Sequence, residues 1–400
     1  MSPVPGSTFR RALFWAHLAC GVTAGLLILL MSATGVLLAY ERQVVDSAAQ
    51  RNLVETGPGM ARLDADTLAG IARLALPPDA RVSLNFNADP AQPVVAQAGR
   101  ETSLLLNPYT GAVINDASAS WRKFFRIVED WHRWLGGKPQ STRANLLDVA
   151  NLLFLFIIAS GIYIWLPAVW RWRTWRGLMF FQTRYINAKV RDFNWHHVFS
   201  FWMLLPLFVI ALSGVVMSYG WANNMVYAAF GEQAPQRGRP PGPGPVGPGG
   251  PGGEARNMRP PPDANSPRAS IQAMLNVASN QVPGWQRITI PMPPTAGTVD
   301  ITIELQSTER RPPRQTLTLN SQDASLVRLT PPPAAGSVTQ SAGQRARTWF
   351  RFAHTGEQYG IIGQTLAAIA SLAACFLAYT GLALAWRRLI SPLLRRRQES

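Results

Sequence analysis

"HLACGVTAGLLILLMSATGVLLAY", residues 17–40, runs for 24 residues with no charged side chain beyond its leading histidine. A hydrocarbon layer of about 30 Å takes roughly 20 helical residues to cross, so the stretch reads as a membrane span. Three further stretches read the same way. One runs from about Ala144 to Trp170 through "LLDVANLLFLFIIASGIYIWLPAVW", one from His196 to about Tyr219 through "FSFWMLLPLFVIALSGVVMS", and one from about Tyr359 to Trp386 through "IIGQTLAAIASLAACFLAYTGLALAW". Asp148 and Asn151 put the start of the second in the interface. Arg10 and Arg11 ahead of the first apolar run also fit a signal peptide. Its length, its "FW" opening and its "YER" exit favour a retained helix.

The arginines set the orientation. Arg10 and Arg11, the "RWRTWRG" loop continuing to Lys189 and Arg191, and the closing "WRRLISPLLRRR" fall on one side of a four-span chain, which the positive-inside rule makes the cytoplasm. The layout expected is a cytoplasmic N-terminus (1–16), spans at 17–40, 144–170, 196–219 and 359–386, a basic cytoplasmic loop (171–195), external segments at 41–143 and 220–358, and a cytoplasmic tail (387–400). The net charge of +16 then follows mainly from topology and attraction to anionic headgroups. A nucleic-acid binder would need a basic soluble domain with stacking aromatics, whereas the aromatics here mostly flank spans.

The external segments echo one another. In the first, "ADTLAGIARLALP" has helical apolar spacing, and "RVSLNFN", "QPVVAQ", "TSLLLNP" and "GAVIND" have strand character. In the second, "SIQAMLNVASNQVP" precedes "WQRITIP", "TVDITIEL", "QTLTLN" and "ASLVRL". "SLLLNPYTGAVI" and "LTLNSQDASLVRL" read as the same hairpin, the second without the glycine. Two degenerate copies of a small α+β module result, the second over about 268–330. A Pro/Gly-rich linker occupies 234–265, and "PPPAAGSVTQSAGQ" is a shorter one before the last span. Cys20 and Cys375 both fall in spans, so neither module has an internal disulfide, and no CxxCH for covalent haem occurs.

The five histidines, His17, His132, His196, His197 and His354, all stand beside the start of an apolar span. His17 and His196/His197 belong to the cytoplasmic side, and His132 and His354 to the external side. "HLACG", "HRWLG" and "HHVFS" place a small residue one helical turn after a histidine, leaving room for a planar group or a neighbouring helix. His17 precedes Gly35, and His196 precedes Gly214, by 18 residues, five turns of helix, so each pair shares a face. A neutral imidazole on each side of an iron porphyrin gives a six-coordinate haem suited to electron transfer. One pair per membrane face therefore points to two haem b groups, with the four histidines as axial ligands of the iron. His196 is preferred for its glycine spacing, and His197 is the alternative. A zinc site is less satisfying, although Glu129, Asp130 and Glu357 stand near the external histidines. No HExxH or GxSxG occurs, and no GxGxxG stands between a strand and a helix as a dinucleotide fingerprint, so any electron donor is separate. Few charges lie within the spans, where a gated transport path would need them.

"FWAHLACGVTAGLLILLMSATGVLLAY", "EDWHRWLGG" followed by "LFIIASGIYIWLP", "RDFNWHHVFSFWMLLPLFVIALSGVVMS", and "RFAHTGEQYG" followed by "LAYTGLALAW" together resemble the PepSY-associated transmembrane helix family, which includes bacterial iron-regulated inner-membrane proteins and ferric-siderophore reductases. The resemblance implies a membrane α-helical bundle of four transmembrane helices with two small α+β PepSY-like periplasmic modules. For the reductase members it implies haem-mediated reduction of a periplasmic ferric siderophore in iron uptake, with a separate cytoplasmic or quinol donor and both termini cytoplasmic. On this chain His17 and His196 become the cytoplasmic ligand candidates, and His132 and His354 the periplasmic ones. "HHVFS" departs from the His-Arg with a following Gly common in such sequences, as does the proline-rich insertion. The alternative function is a non-enzymatic PepSY binding or assembly accessory of an uptake system.

Overall fold

The computed structural model describes residues 6–57, 59–99, 102–166, 171–235, 268–292, 297–306, 313–330 and 341–392. Most of the 234–265 linker, the start of "PPPAAGSVTQSAGQ" and the end of the C-terminal tail lie outside the described residues.

The chain runs through the same series of elements twice. The first half contains α1 (Gly6–Leu38), α2 (Glu41–Ala49), α3 (Ala65–Ala75), the strands β1 (Val82–Asn87), β2 (Val94–Ala98), β3 (Thr102–Leu106) and β4 (Val113–Ile114), then α4 (Ala119–Trp134) and α5 (Thr142–Trp165). After a short α6 (Trp172–Met179), the second half contains α7 (Ala188–Trp202), α8 (Leu204–Ser218), α9 (Gly220–Ala228), α10 (Ile271–Gln281), the strands β5 (Trp285–Met292), β6 (Thr298–Leu305), β7 (Arg314–Asn320) and β8 (Leu326–Thr330), then α11 (Ala342–His354) and α12 (Gly360–Leu389). Each half thus runs from a long apolar helix, or in the second half the α7–α8 pair, through a short helix and four strands to an amphipathic helix ending near a histidine and then a second long apolar helix. These elements fall into two compact units, one helical and one built on the sheet.

In the helical unit α1, α5 and α12 are long and apolar enough to cross a membrane. The pair α7–α8 makes a fourth crossing if counted as one span, bent by 71° at its break. Pro206 sits in the first turn of α8 and has no N–H to offer the Trp202 carbonyl, so the ladder is interrupted there. The break removes the five-turn relation expected between His196 and Gly214, because those residues no longer share one straight helix. Small side chains let the spans close on one another. Ile158, Leu207, Ala211, Ala370 and Ala374 form one buried contact among α5, α8 and α12, and Ala24, Ile28 and Ala150 form another between α1 and α5. Arg10 donates to the carbonyls of Ile164 and Leu166 at 2.8 and 2.9 Å, closing carbonyls that the end of α5 leaves open.

The sheet unit is a single antiparallel sheet in the order β4-β3-β2-β1-β5-β6-β7-β8. The two four-stranded halves join through β1 and β5, paired from Val82↔Met292 to Asn87↔Arg287. Two modules expected as separate small sheets thus share one sheet and one core, in which Leu68, Leu84 and Leu106 pack with Met274, Ile288, Ile301 and Leu317. The helices of the two halves cap each other. Asp66 accepts from the Ile271 and Gln272 amides at the start of α10 (2.8 and 3.1 Å), and the Gln272 side-chain oxygen accepts from the Ala65 amide at the start of α3 (2.8 Å). The two hairpins are superposable in their bonding. Asn107 exchanges bonds with Ala112 and Gly111, as Asn320 does with Ser325 and Ala324. The glycine missing from the second copy is replaced by Ala324, held at φ 57° where Gly111 has φ 72°.

Candidate functional site

The four predicted histidines converge from four helices onto two ends of the helical unit. His132, in the last turn of α4, and His354, at the end of α11, face each other with ring centres 6.4 Å apart and planes at 62°. α4 stops at Trp134, and Leu135 and Gly136 turn the chain with φ of 51° and 67°. Gly136 is therefore a helix stop packed under the Trp131 indole, not a small residue on the histidine's face, which corrects the expectation drawn from "HRWLG". His17 on α1 and His196 on α7 form the corresponding pair at the other end, within electrostatic reach of each other. Along α1 the two ends are separated by the 17 residues from His17 to Thr34, about 26 Å at the helical rise.

Each histidine meets the same local receptor on another helix. His17 Nδ1 lies 2.9 Å from Ser160 Oγ on α5, and His132 Nδ1 2.9 Å from Thr34 Oγ1 on α1. His196 Nδ1 lies 2.9 Å from Thr380 Oγ1 on α12, and His354 Nδ1 3.0 Å from Ser213 Oγ on α8. Every one of these hydroxyls donates its hydrogen to a carbonyl of its own helix: Ser160 to Ile157, Thr34 to Leu30 and Met31, Thr380 to Phe376 and Leu377, Ser213 to Ile210. The carbonyl three residues before the hydroxyl stands beside the imidazole as well.

A glycine follows each hydroxyl. A Cβ on Gly161 would come 3.5 Å from His17 Cε1, one on Gly35 3.5 Å from His132 Cε1, and one on Gly381 3.4 Å from His196 Cε1. Gly35, read as the partner of His17 on its own helix, is thus a cradle for His132 of another helix. Gly214 departs from the pattern, since its Cβ would meet the Asn151 amide of α5 at 2.6 Å. Among the described residues His197 has no such receptor. Its Nδ1 donates to the Phe193 carbonyl of its own helix at 2.8 Å and its ring lies 4.1 Å from that of Phe193.

Burial, with the facing His354 and then Arg133 adding, holds the His132 pKa down to about 4, and burial lowers that of His354. Both rings are therefore neutral, the form that binds metals. Arg133 pairs with Glu129 at 2.7 Å and lies over the Trp134 ring at 4.6 Å. Outside this pair Glu41 stands near Glu129 and Glu357. Burial first, then those two charges, raise its carboxyl above the usual range. Among the described residues no three His, Cys, Asp or Glu side chains converge, so the donor set for the zinc alternative is not assembled around Glu129, Asp130 and Glu357.

At the other end, Asp192 on α7 is fully buried and binds Arg191 at 2.9 Å and Arg387 of α12 at 2.5 Å. Asp192 lies one turn before His196, and Arg387 seven residues after Thr380. The ion pair therefore ties together the same two helices as the His196–Thr380 bond.

The sequence profile described as the PepSY-associated TM region matches residues 14–388. The chain belongs to this PepSY-associated transmembrane family. Its matched region takes in the three or four apolar helices and both halves of the sheet, so the duplicated order of elements lies inside the family's own extent. Comparison with curated proteins gives no match. A PepSY-associated protein of this kind, with three or four apolar helices, is a multi-pass membrane protein.

The donor set fits a haem. An imidazole nitrogen binds a first-row metal at about 2.0–2.1 Å. Two such bonds in line, with roughly 1 Å from each ring centre to its nitrogen, place the ring centres about 6 Å apart, close to the 6.4 Å between His132 and His354. Two protein ligands on opposite sides are what a porphyrin iron needs, and Gly35 lets the His132 ring lie close against α1.

Proposed function

We propose that the protein is a haem-containing electron-transfer protein of a bacterial inner membrane that reduces a periplasmic iron(III) siderophore during iron uptake, with both termini in the cytoplasm. The observation that carries the reading is the opposed His132/His354 pair, matched by His17 and His196 at the other end of the helical unit. A haem bound at each pair would supply one-electron chemistry with no open axial site.

The chain's own part is positional. α1 and α4 hold His132 and α8 and α11 hold His354, while α1 with α5 and α7 with α12 do the same for His17 and His196. The neutral rings present a lone pair without first losing a proton, and the apolar spans keep water from the path between the two ends. A separate donor, a quinol or a cytoplasmic reductant, delivers electrons at the His17/His196 end, and the ferric chelate accepts them at the His132/His354 end. β8, with all five residues exposed, favours as a second reading a binding or assembly accessory that docks partners through its sheet.

An absorption spectrum of protein purified without added metal separates the two. Reducible b-type Soret and α bands are expected, with dithionite as the positive control. One set should disappear on replacing His132 or His354, and the other on replacing His17 or His196. A folded, haem-free protein from haem-sufficient cells overturns the electron-transfer reading and leaves the accessory.

A further inference from the structure

Close packing accounts for the four glycines, and helical serines and threonines commonly bond back to their own carbonyls. Neither accounts for a hydroxyl under each of four histidines, with its hydrogen committed to the backbone every time. An oxygen whose hydrogen is already given away can only accept. The imidazole Nδ1 facing it must then be the donor, which leaves the lone pair on Nε2.

We propose that Thr34, Ser160, Ser213 and Thr380 are positioning residues for axial ligation. Their oxygens fix the Nδ1–H tautomer of His132, His17, His354 and His196, aim Nε2 at the metal, and make each imidazole a stronger donor. The assignment rests on the haem reading above. Each histidine pair is supported by one threonine and one serine, so every site has an isosteric test (Thr→Val) and a small one (Ser→Ala). Outer partners of this kind typically change metal affinity by 10- to 100-fold. Ferric iron gains more than ferrous iron from a basic nitrogen, so loss of the hydroxyl raises the midpoint potential. Each tenfold difference between the two oxidation states corresponds to about 59 mV.

The full-length protein in detergent provides the test, through haem stoichiometry, an optical redox titration and the low-temperature EPR spectrum of the oxidised form. In Thr34→Val and in Ser213→Ala the potential of one haem should rise by about 59 mV for each tenfold differential loss. Its low-spin EPR signal should shift and its haem should dissociate on the order of 10- to 100-fold more readily, while the second haem stays unchanged. Ser160→Ala and Thr380→Val should move only the second haem. Thr34→Ser keeps the oxygen and should restore wild-type values, which a purely steric role would not require. If Thr34→Val fails to fold, Ser213→Ala reads the same pair from the other side. Two haems with wild-type potentials and EPR signals in both Thr34→Val and Ser213→Ala overturn the positioning role alone. A wild-type protein without haem overturns the underlying reading, and that result is visible before any variant is made.

Discussion

Asp192→Asn keeps the shape of the side chain and removes a charge that α7 and α12 share. The Asp192 side chain is 0% exposed, and its partners Arg191 and Arg387 are 36% and 30% exposed. Removing one member of a buried ion pair costs about 3–5 kcal/mol. Both arginines here keep contact with solvent and can recover part of their hydration, which brings the expected cost down to about 2–3 kcal/mol. The lower figure is about a 30-fold loss in the folded-to-unfolded ratio. Titration with SDS in mixed micelles, followed by tryptophan fluorescence, measures it. Arg387→Lys retains a charge near Asp192 and should cost less than Asp192→Asn. An Asp192→Asn protein within about 0.5 kcal/mol of wild type, the range of ordinary surface changes, would refute the view that this buried carboxylate holds the two helices together.

Other outcomes follow from the same geometry. Glu41 has a raised carboxyl pKa because of burial and the charges of Glu129 and Glu357, so the folded state favours its protonated form. The wild type is then helped at low pH and loses that help as pH rises through the raised value. Glu41→Gln should raise the thermal midpoint at pH 7 and make no difference once the wild-type carboxyl is protonated, as melting curves across pH will show. Gly111→Ala places a Cβ 2.6 Å from Ile71 Cδ1 at φ 72° and should cost about 1–2 kcal/mol. Ala324→Gly relieves the same backbone strain but loses a buried methyl and chain entropy and should be nearly neutral; hydrogen exchange of the two hairpins distinguishes them. His197→Ala should leave the absorption spectrum intact, and His196→Ala should remove one haem's bands.

Much of this architecture is legible in the sequence because it rests on local patterns. The spans follow from length and apolarity, and the strands from alternation, as in "VSLNFN" at β1 and "TVDITIEL" at β6. The histidines stand out because all five lie beside spans. The receptors stand out less: only their place inside the apolar runs separates Thr34-Gly35, Ser160-Gly161, Ser213-Gly214 and Thr380-Gly381 from Thr56-Gly57, Thr110-Gly111 and Thr355-Gly356. Only tertiary pairing shows which hydroxyl meets which histidine. The 18-residue spacing from histidine to glycine misled because it assumes straight, self-contained helices. α7–α8 is broken, and the glycine on α1 serves a histidine of α4. The fusion of the two modules into one sheet depends on the β1–β5 pairing across some 200 residues of chain, which no local periodicity records.

The duplicated order of elements gives each histidine pair one member from each half: His132 with His354, and His17 with His196. A protein carrying a single half would have to find a second copy to complete either pair, and its occupancy would fall with dilution in the membrane. Here both pairs close within one chain, so their assembly is unimolecular and independent of expression level. The two members are also free to differ. Gly214 faces the Asn151 amide where Gly35 faces the Ser371 hydroxyl, an inequality that a symmetric dimer, obliged to repeat every substitution on both sides, could not hold.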